Sequence, residues 1–487
     1  MRKALIALLF CLAVLLGIGL FGLSLAGCGS SGTFTTGNPG TNAGMAPVSL
    51  TVGDDPPTGV AVLRFQVQIT SAMLQPTDTT QPAVSMLLGP TNVELLHLQT
   101  ETAPLGNVNV PAGSYSSLTA SFANPQMTIF NNTNQTLTLG AQSCAAGQFC
   151  VFNPPLNQMS ATVQSPTAPF PVTLSANSPL GFEMHFDVNA SVQGDLTVSP
   201  KISVKQVIPA TPTSPVSQFH IIGRITSVTN PSFMIQAGFG GMTVPITTNT
   251  STTYTFPACA ADNFSCLLDG QVVEVGLNLI PGGTFTASSV RLLEQQNIPS
   301  LQGTVVRVNA AQNQFDMILQ DLQETFPSVL PGLLISVQTN SSTTFSVNAD
   351  GVTIPAGLTF TGASGLVAGQ RVEIHPLATP VVTPGPTALP LITVSTDSVT
   401  LESSQVAGVV GTVNASGNPA GFTLLQLSPV LTHSNISLID VDTVTGTVFI
   451  DVTGLGGINS GDKVFVGGLL FNTTGAPTLV AERVRDN

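Results

Sequence analysis

The chain has 487 residues, length for about three domains of ordinary size. Only 8% are charged, against about 25% in an average soluble domain, while 43% are hydrophobic and Gly and Pro number 46 and 36. Trp 0 and Tyr 2 argue against a transmembrane β-barrel, whose interfaces carry aromatic girdles, and a net charge of −13 argues against gripping a nucleic-acid backbone.

In chain order, Arg2 and Lys3 precede an apolar stretch from Ala4 to Leu23, then small residues. These are the marks of a secretory signal. Leu25-Ala26-Gly27-Cys28 resembles the lipobox of bacterial lipoproteins. The resemblance implies removal of residues 1–27, a diacylglyceryl thioether on Cys28, and acylation of its new amine. Two or more acyl chains make a stable membrane anchor. A competing reading is an uncleaved membrane helix, because the apolar stretch exceeds the usual signal core of about 7–15 residues. No positive charge follows it to stop transfer, which favours the lipoprotein. Gly29 after the cysteine points, by the family's sorting rule, to the outer membrane, on its periplasmic or surface face. With Arg2 and Lys3 gone, 10 basic residues face 25 acidic ones, a net charge of −15. Residues 28–46 are Gly, Ser, Thr, Asn and Pro-rich, a flexible tether.

The first domain is expected over residues 47–208. Val48, Leu50 and Val52 alternate as a strand, and Asp54 to Gly59 read as a turn. Longer alternating runs follow at Val60 to Gln75 and up to Phe122, and Met184 to Val188 and Ile202 to Val204 close the region. Helix signals are weak, and many short strands at regular spacing predict a β-sandwich. Thr51 to Pro57, Leu95 to Leu98 read as a leucine-rich strand, Val110 to Tyr115, and Phe186 to Val188 resemble the bacterial family DUF4382. That resemblance implies a sandwich-like fold on an exported lipoprotein and no known activity. Asp54 and Asp55 are read first as turn residues bonding the backbone, with a cation site as the alternative.

Cys11 leaves with the signal. Cys144 with Cys150, and Cys259 with Cys266, are close pairs in polar loops, read as local disulfides of an oxidising compartment. No His lies near either pair to complete a metal site.

After a Pro/Thr linker at Ala210 to Pro215 the chain repeats itself, in units 217–295, 299–403 and 404–487. Gly223, Gly303 and Gly408 each open a strand of alternating apolar residues. Gly270-Gln271, Gly369-Gln370 and Gly461-Asp462 each open a second, where the backbone must turn sharply. Two units end alike, in Ala287 to Arg291 and Ala481 to Arg485. Thr252 to Phe256 and Ser342 to Val347 are mid-unit strands. Five or six strands per unit close best as a small barrel. The signatures resemble a second bacterial family of unknown function, DUF5666, which implies an OB-like barrel. The fold class is therefore all-β: a sandwich followed by three small OB-like barrels.

Motifs for chemistry are missing. His97, His185, His220, His375 and His433 lie singly, with no zinc-hydrolase spacing. No Gly-x-Ser-x-Gly occurs. Gly238 to Gly241 and Gly454 to Gly457 lack the rest of a phosphate loop, and Asp440-Val-Asp442 fails the EF-hand pattern at Val444. Carboxylates that meet only in space stay open as an enzymatic alternative. The expectation is a non-enzymatic, lipid-anchored cell-envelope protein: a surface scaffold or adhesion module shaped as a rod of separate domains. It has no cofactor, no metal and no nucleic-acid partner, and touches the membrane through its lipid and a glycan or envelope protein through its domains. The alternative is a carbohydrate- or small-ligand-binding lipoprotein whose sandwich is the binder, with Tyr115 and Phe122 as the residues to vary.

Overall fold

Alternating apolar and polar residues build nearly every element of this chain, because a strand sends successive side chains to opposite faces. The computed structural model describes residues 44–486 apart from 56–60, 88, 238–242, 257–258, 295–299, 323–325, 327–328, 350–351 and 384–390. Cys28, the signal and most of the tether lie outside the described residues.

Residues 45–207 form a sandwich. One sheet runs Ile202–Val207, Leu180–Asp187, Met45–Asp55, Ala103–Pro111, and its Met45–Asp55 and Leu180–Asp187 strands are parallel. The other is built on two long antiparallel strands, Val62–Pro76 and Gly113–Phe130. Leu50, Phe65, Ile69, Phe122, Phe182 and Phe186 fill the space between. Gly106 lies so close to the segment after Ser85 that an added Cβ would be 1.7 Å from the Met86 carbonyl oxygen.

Two readings need correction. The first strand, Met45–Asp55, extends beyond the alternating Val48 to Val52 at both ends. It also runs through Asp54 and Asp55, which are paired strand residues opposite Phe186 and Asp187. The rest of that expected turn lies at 56–60, outside the described residues. The leucine-rich segment Leu95–Leu98 is a 3-10 turn, not a strand. The Glu94 carboxylate accepts the Leu96 amide at 3.3 Å and holds the chain in that turn.

Three five-stranded rings follow. The first joins Ser217–Thr229, Ser232–Ala237, Thr243–Thr247, Val272–Leu279 and Phe285–Glu294. The second joins Leu301–Asn309, Gln314–Leu322, Leu334–Gln338, Arg371–Pro376 and Leu391–Glu402. The third joins Ser404–Asn414, Ala420–Leu425, Ile439–Ile450, Lys463–Phe471 and Thr478–Asp486. In each, the order around the ring is first, second, third, fifth, fourth and back to first. In each, the third and fifth strands are parallel and the rest antiparallel. This is the closed Greek-key barrel expected of an OB-like unit.

The repeated glycines have one structural task apiece. Gly270, Gly369 and Gly461 all have left-handed backbones, with φ of 86°, 93° and 96°. Their amides donate to the carbonyls of Ile225, Val305 and Val410, each at 2.8 Å, locking the fourth strand to the first. The side chain after each glycine accepts an amide three residues back: Gln271 from Leu268, Gln370 from Val367, Asp462 from Asn459. Gly223 and Gly303 lie against the hairpin partner, where a Cβ would come within 2.3 Å of the Gln236 carbonyl and 2.5 Å of that of Ile318. A third device escaped the sequence reading. Thr252, Thr343 and Thr447 each donate a hydroxyl to a fifth-strand carbonyl, those of Ala287, Thr396 and Ala481.

The rod of separate domains is not what the chain forms. Ala61 and Phe130 of the sandwich, Val306 and Ile318 of the second barrel and Val430 of the third share one apolar cluster. Leu469, Phe471 and Val480 of the third barrel also enter the core of the second. Burying that surface at about 25 cal/mol per Å² is reason enough for the domains to close on one another.

Candidate functional site

A chain with 12 Lys and Arg has few cations to place, and several of them lie between domains. Glu101 follows the sandwich's 3-10 turn. Its carboxylate meets His220 Nδ1 of the first barrel at 2.9 Å and Arg483 Nη1 of the third at 2.8 Å. It also accepts the His220 amide at 3.2 Å. Burial opposes the charge on Glu101, but His220 and Arg483 hold it well below the usual carboxylate range. Burial likewise opposes the imidazolium, yet the charge and hydrogen bond of Glu101 outweigh it and push His220 up to about 9.

Beside this triad, Arg291 of the first barrel bonds Glu274 of its own barrel at 2.7 Å and Glu402 of the second at 3.2 Å. Asn348 donates to Glu402 at 2.7 Å. Burial is the largest influence on Glu402. Together with the charges of Glu373 and Glu274 it outweighs Arg291 and pushes Glu402 up to about 8. Glu373 is held by Gln302, which in turn accepts from Arg371. Glu101 and Glu402 thus meet cations of other domains, with Glu274 and Glu373 beside them, at a junction to which all four domains contribute.

A second anchor joins the third barrel to the sandwich. Arg485, 4% exposed, donates to the Asp54 carbonyl at 2.7 Å and lies 4.8 Å over the Phe465 ring. Arg291 and Arg485 occupy matching places, each following the fifth-strand valine, Val290 or Val484, that faces the fourth strand. The second barrel has Thr400 there, after Val399. The arginines that end two repeats in the sequence are therefore interdomain arginines.

Other sequence candidates are dispersed. Tyr115 and Phe122 lie in the sandwich core, and the Tyr115 hydroxyl donates to the Pro111 carbonyl at 2.7 Å. Asp54 is fully buried on its strand. His185 pairs with Glu183 at 3.1 Å and His375 with Glu373 at 3.2 Å, each two residues away on one face of a strand. His97 lies in the 3-10 turn. Among the described residues no three His, Cys, Asp or Glu side chains are placed to hold a metal ion. Both cysteine pairs are bonded as read, Cys144 with Cys150 and Cys259 with Cys266. No described helix is long and apolar enough to cross a membrane.

A cleft of about 320 Å³ opens where sandwich, second barrel and third barrel meet, lined by Phe149, Val306, Arg307, Leu366, His433 and Asn435. The Cys144–Cys150 loop forms one wall, and Phe130 packs between Phe149 at 5.0 Å and His433 at 4.8 Å. A neighbouring cleft of about 500 Å³ shares Arg307, whose Nε donates to Asp316 at 2.7 Å.

No curated protein matches the chain. Among solved structures, it is similar to drosophila Unr CSD456 at 10% identity, covering 55% of this chain and 97% of that one, with a TM-score of 0.12. It is similar to a multidomain protein with nucleic acid binding domains from Streptococcus pneumoniae at 11% identity, covering 54% and 72%, with a TM-score of 0.11. TM-scores that low bear on neither fold nor ligand. Residues 45–205 match the family model described as Domain of unknown function (DUF4382), and residues 222–291 match that of Domain of unknown function (DUF5666), so the sandwich and the first barrel are each similar to one family.

Proposed function

We propose that the chain is a non-enzymatic, lipid-anchored envelope protein that presents its sandwich and barrels as a surface scaffold or interaction module. One observation carries this reading. The groups with the most perturbed charge, Glu101, His220, Arg291 and Glu402, are spent on joining domains. A catalytic set would instead hold such groups in a cleft open to substrate. The two disulfides support export, since such bonds persist in oxidising compartments. The Leu25 to Cys28 lipobox supports anchoring through Cys28, and Gly29 supports the outer membrane. The shared ring order and glycine turns support descent of all three barrels from one DUF5666-like unit.

The test is the mass and membrane fractionation of the native protein beside Cys28→Ser, with protease shaving of intact cells. Acyl chains on the wild type, loss of the membrane in the variant, and shaving of the domains are expected. A retained apolar N-terminus with a bare Cys28 overturns the reading.

The cleft beside His433 favours a second reading, a carbohydrate or small-ligand binder. Clefts at domain boundaries with a few polar groups are common ligand sites. This moves the binder from the sandwich to the seam. Glycan-array or calorimetric binding lost in Arg307→Ala and His433→Ala supports it, and binding kept in both sinks it.

A further inference from the structure

The domains are not joined in one way. Sandwich, second barrel and third barrel share apolar clusters. The core cluster of the first barrel, from Phe219 and Ile225 to Val290, draws only on residues of that barrel among the described residues. Ion pairs and hydrogen bonds tie it to the other domains. His220 meets Glu101, and Arg291 meets Glu402. Ser217 meets the Thr102 hydroxyl at 2.5 Å. The Asn107 side chain bonds the loop at Ile280, Gly282 and Gly283. Pro47 of the sandwich lies against Gly282, and Val216 against Gly181 of the sandwich. The chain enters the barrel through a Pro/Thr segment at 210–215 that belongs to no strand.

We propose that the first barrel is a hinged domain, held shut against the other three by charged and hydrogen-bonded ties and released when the charges at that junction change. The other three domains stay together through their apolar seams. Release uncovers the face of the sandwich at Glu101 and Thr102 and the fifth strand of the third barrel at Arg483.

The groups that face the junction set the direction. His220 is faced by Glu101 of the sandwich, Arg483 of the third barrel and Glu274 of its own barrel. Glu402 is faced by Arg291 and Glu274 of the first barrel and by Glu373 and Asn348 of its own. Arg371 of the second barrel adds its charge near Glu274. His220 stays charged well above its ordinary range while shut, and Glu402 stays neutral well above its own. Raising the pH therefore removes a cation and adds an anion among Glu274 and Glu373. Both changes favour the open form. Between the open-form and closed-form titrations of one such group, each pH unit shifts the ratio about tenfold toward the open form, and above the closed-form value that group adds nothing more.

The test is small-angle neutron scattering of the full chain in contrast-matched detergent between pH 6 and pH 10, with circular dichroism beside it. The expected result is a radius of gyration that rises above about pH 8 while strand content is unchanged. His220→Gln should move the rise down by about one pH unit or more. Thr102→Cys with Ser217→Cys, oxidised, should stay compact at pH 10 and expand once reduced. A wild type of constant radius to pH 10 overturns the proposal. So does an oxidised double variant that expands as the wild type does, because the motion then lies elsewhere.

Discussion

Replacing Glu101 by Gln removes the anion that His220 and Arg483 share. His220 is 22% exposed and Glu101 19%, so solvent screens the pair only in part. The upward displacement of His220 from 6.5 to about 9 sets the scale. At about 1.4 kcal/mol per pH unit it corresponds to about 3 kcal/mol. That agrees with the cost of about 3–5 kcal/mol for breaking a buried pair by removing one partner. A raised histidine stabilises the fold fully below its unfolded value of about 6.5, and the contribution fades as pH rises through about 9. Glu101, held low, contributes above the ordinary carboxylate range and loses its contribution as pH falls through it. The Glu101→Gln penalty should thus be near 3 kcal/mol at pH 6 and distinctly smaller at pH 10, where only Arg483 still misses its partner. Urea unfolding at the two pH values measures the penalty, and NMR titration of the imidazole reads His220 itself. A wild-type His220 that titrates near its ordinary value, or a penalty equal at both pH values, refutes the reasoning.

Arg485→Met should cost about 2–3 kcal/mol, because a buried charged donor to the Asp54 carbonyl and a cation over Phe465 are lost together. Loss of third-barrel protection in hydrogen exchange is the readout. Gly106→Ala should cost about 3 kcal/mol or more, since its Cβ meets the Met86 carbonyl, a backbone atom that cannot rotate away. Thermal unfolding of the sandwich checks it. Tyr115→Phe should cost about 1 kcal/mol through the lost bond to Pro111, and leave any glycan binding unchanged. Replacing Cys144 and Cys150 by Ser opens a loop with a sequence separation of 6. The expected loss is about 2 kcal/mol in denaturant titration, with looser packing of Phe149 on Phe130.

Local chemistry made much of this fold legible. Alternation located most strands, because one face of each is buried. The glycine turns were readable at Gly270, Gly369 and Gly461 because no other residue adopts that backbone cheaply. The cysteine pairs were readable because short spacing in one loop leaves few partners. Leu95 to Leu98 misled because four apolar residues in a row carry no period, and the carboxylate that turns them belongs to Glu94. The junction was not legible. Glu101, His220, Glu402 and Arg483 are far apart in sequence and meet only when four domains close. One signal was available: Arg291 and Arg485 end two repeats in a chain almost without cations, and both proved to reach a neighbouring domain. The rod expectation failed for a related reason, since residues such as Phe130 and Val306 look like ordinary strand residues until their partner surface is known.

Each barrel closes with bonds drawn from its own strands, at Ile225 and Gly270, Val305 and Gly369, or Val410 and Gly461. A unit so closed can be duplicated in a gene without a compensating change elsewhere, because the new copy folds on its own terms. The outward position after the fifth-strand valine is then free to drift, and it holds Arg291, Thr400 and Arg485 in the three barrels. Duplication would supply the architecture, and divergence at that one position would decide which copies are clasped by their neighbours.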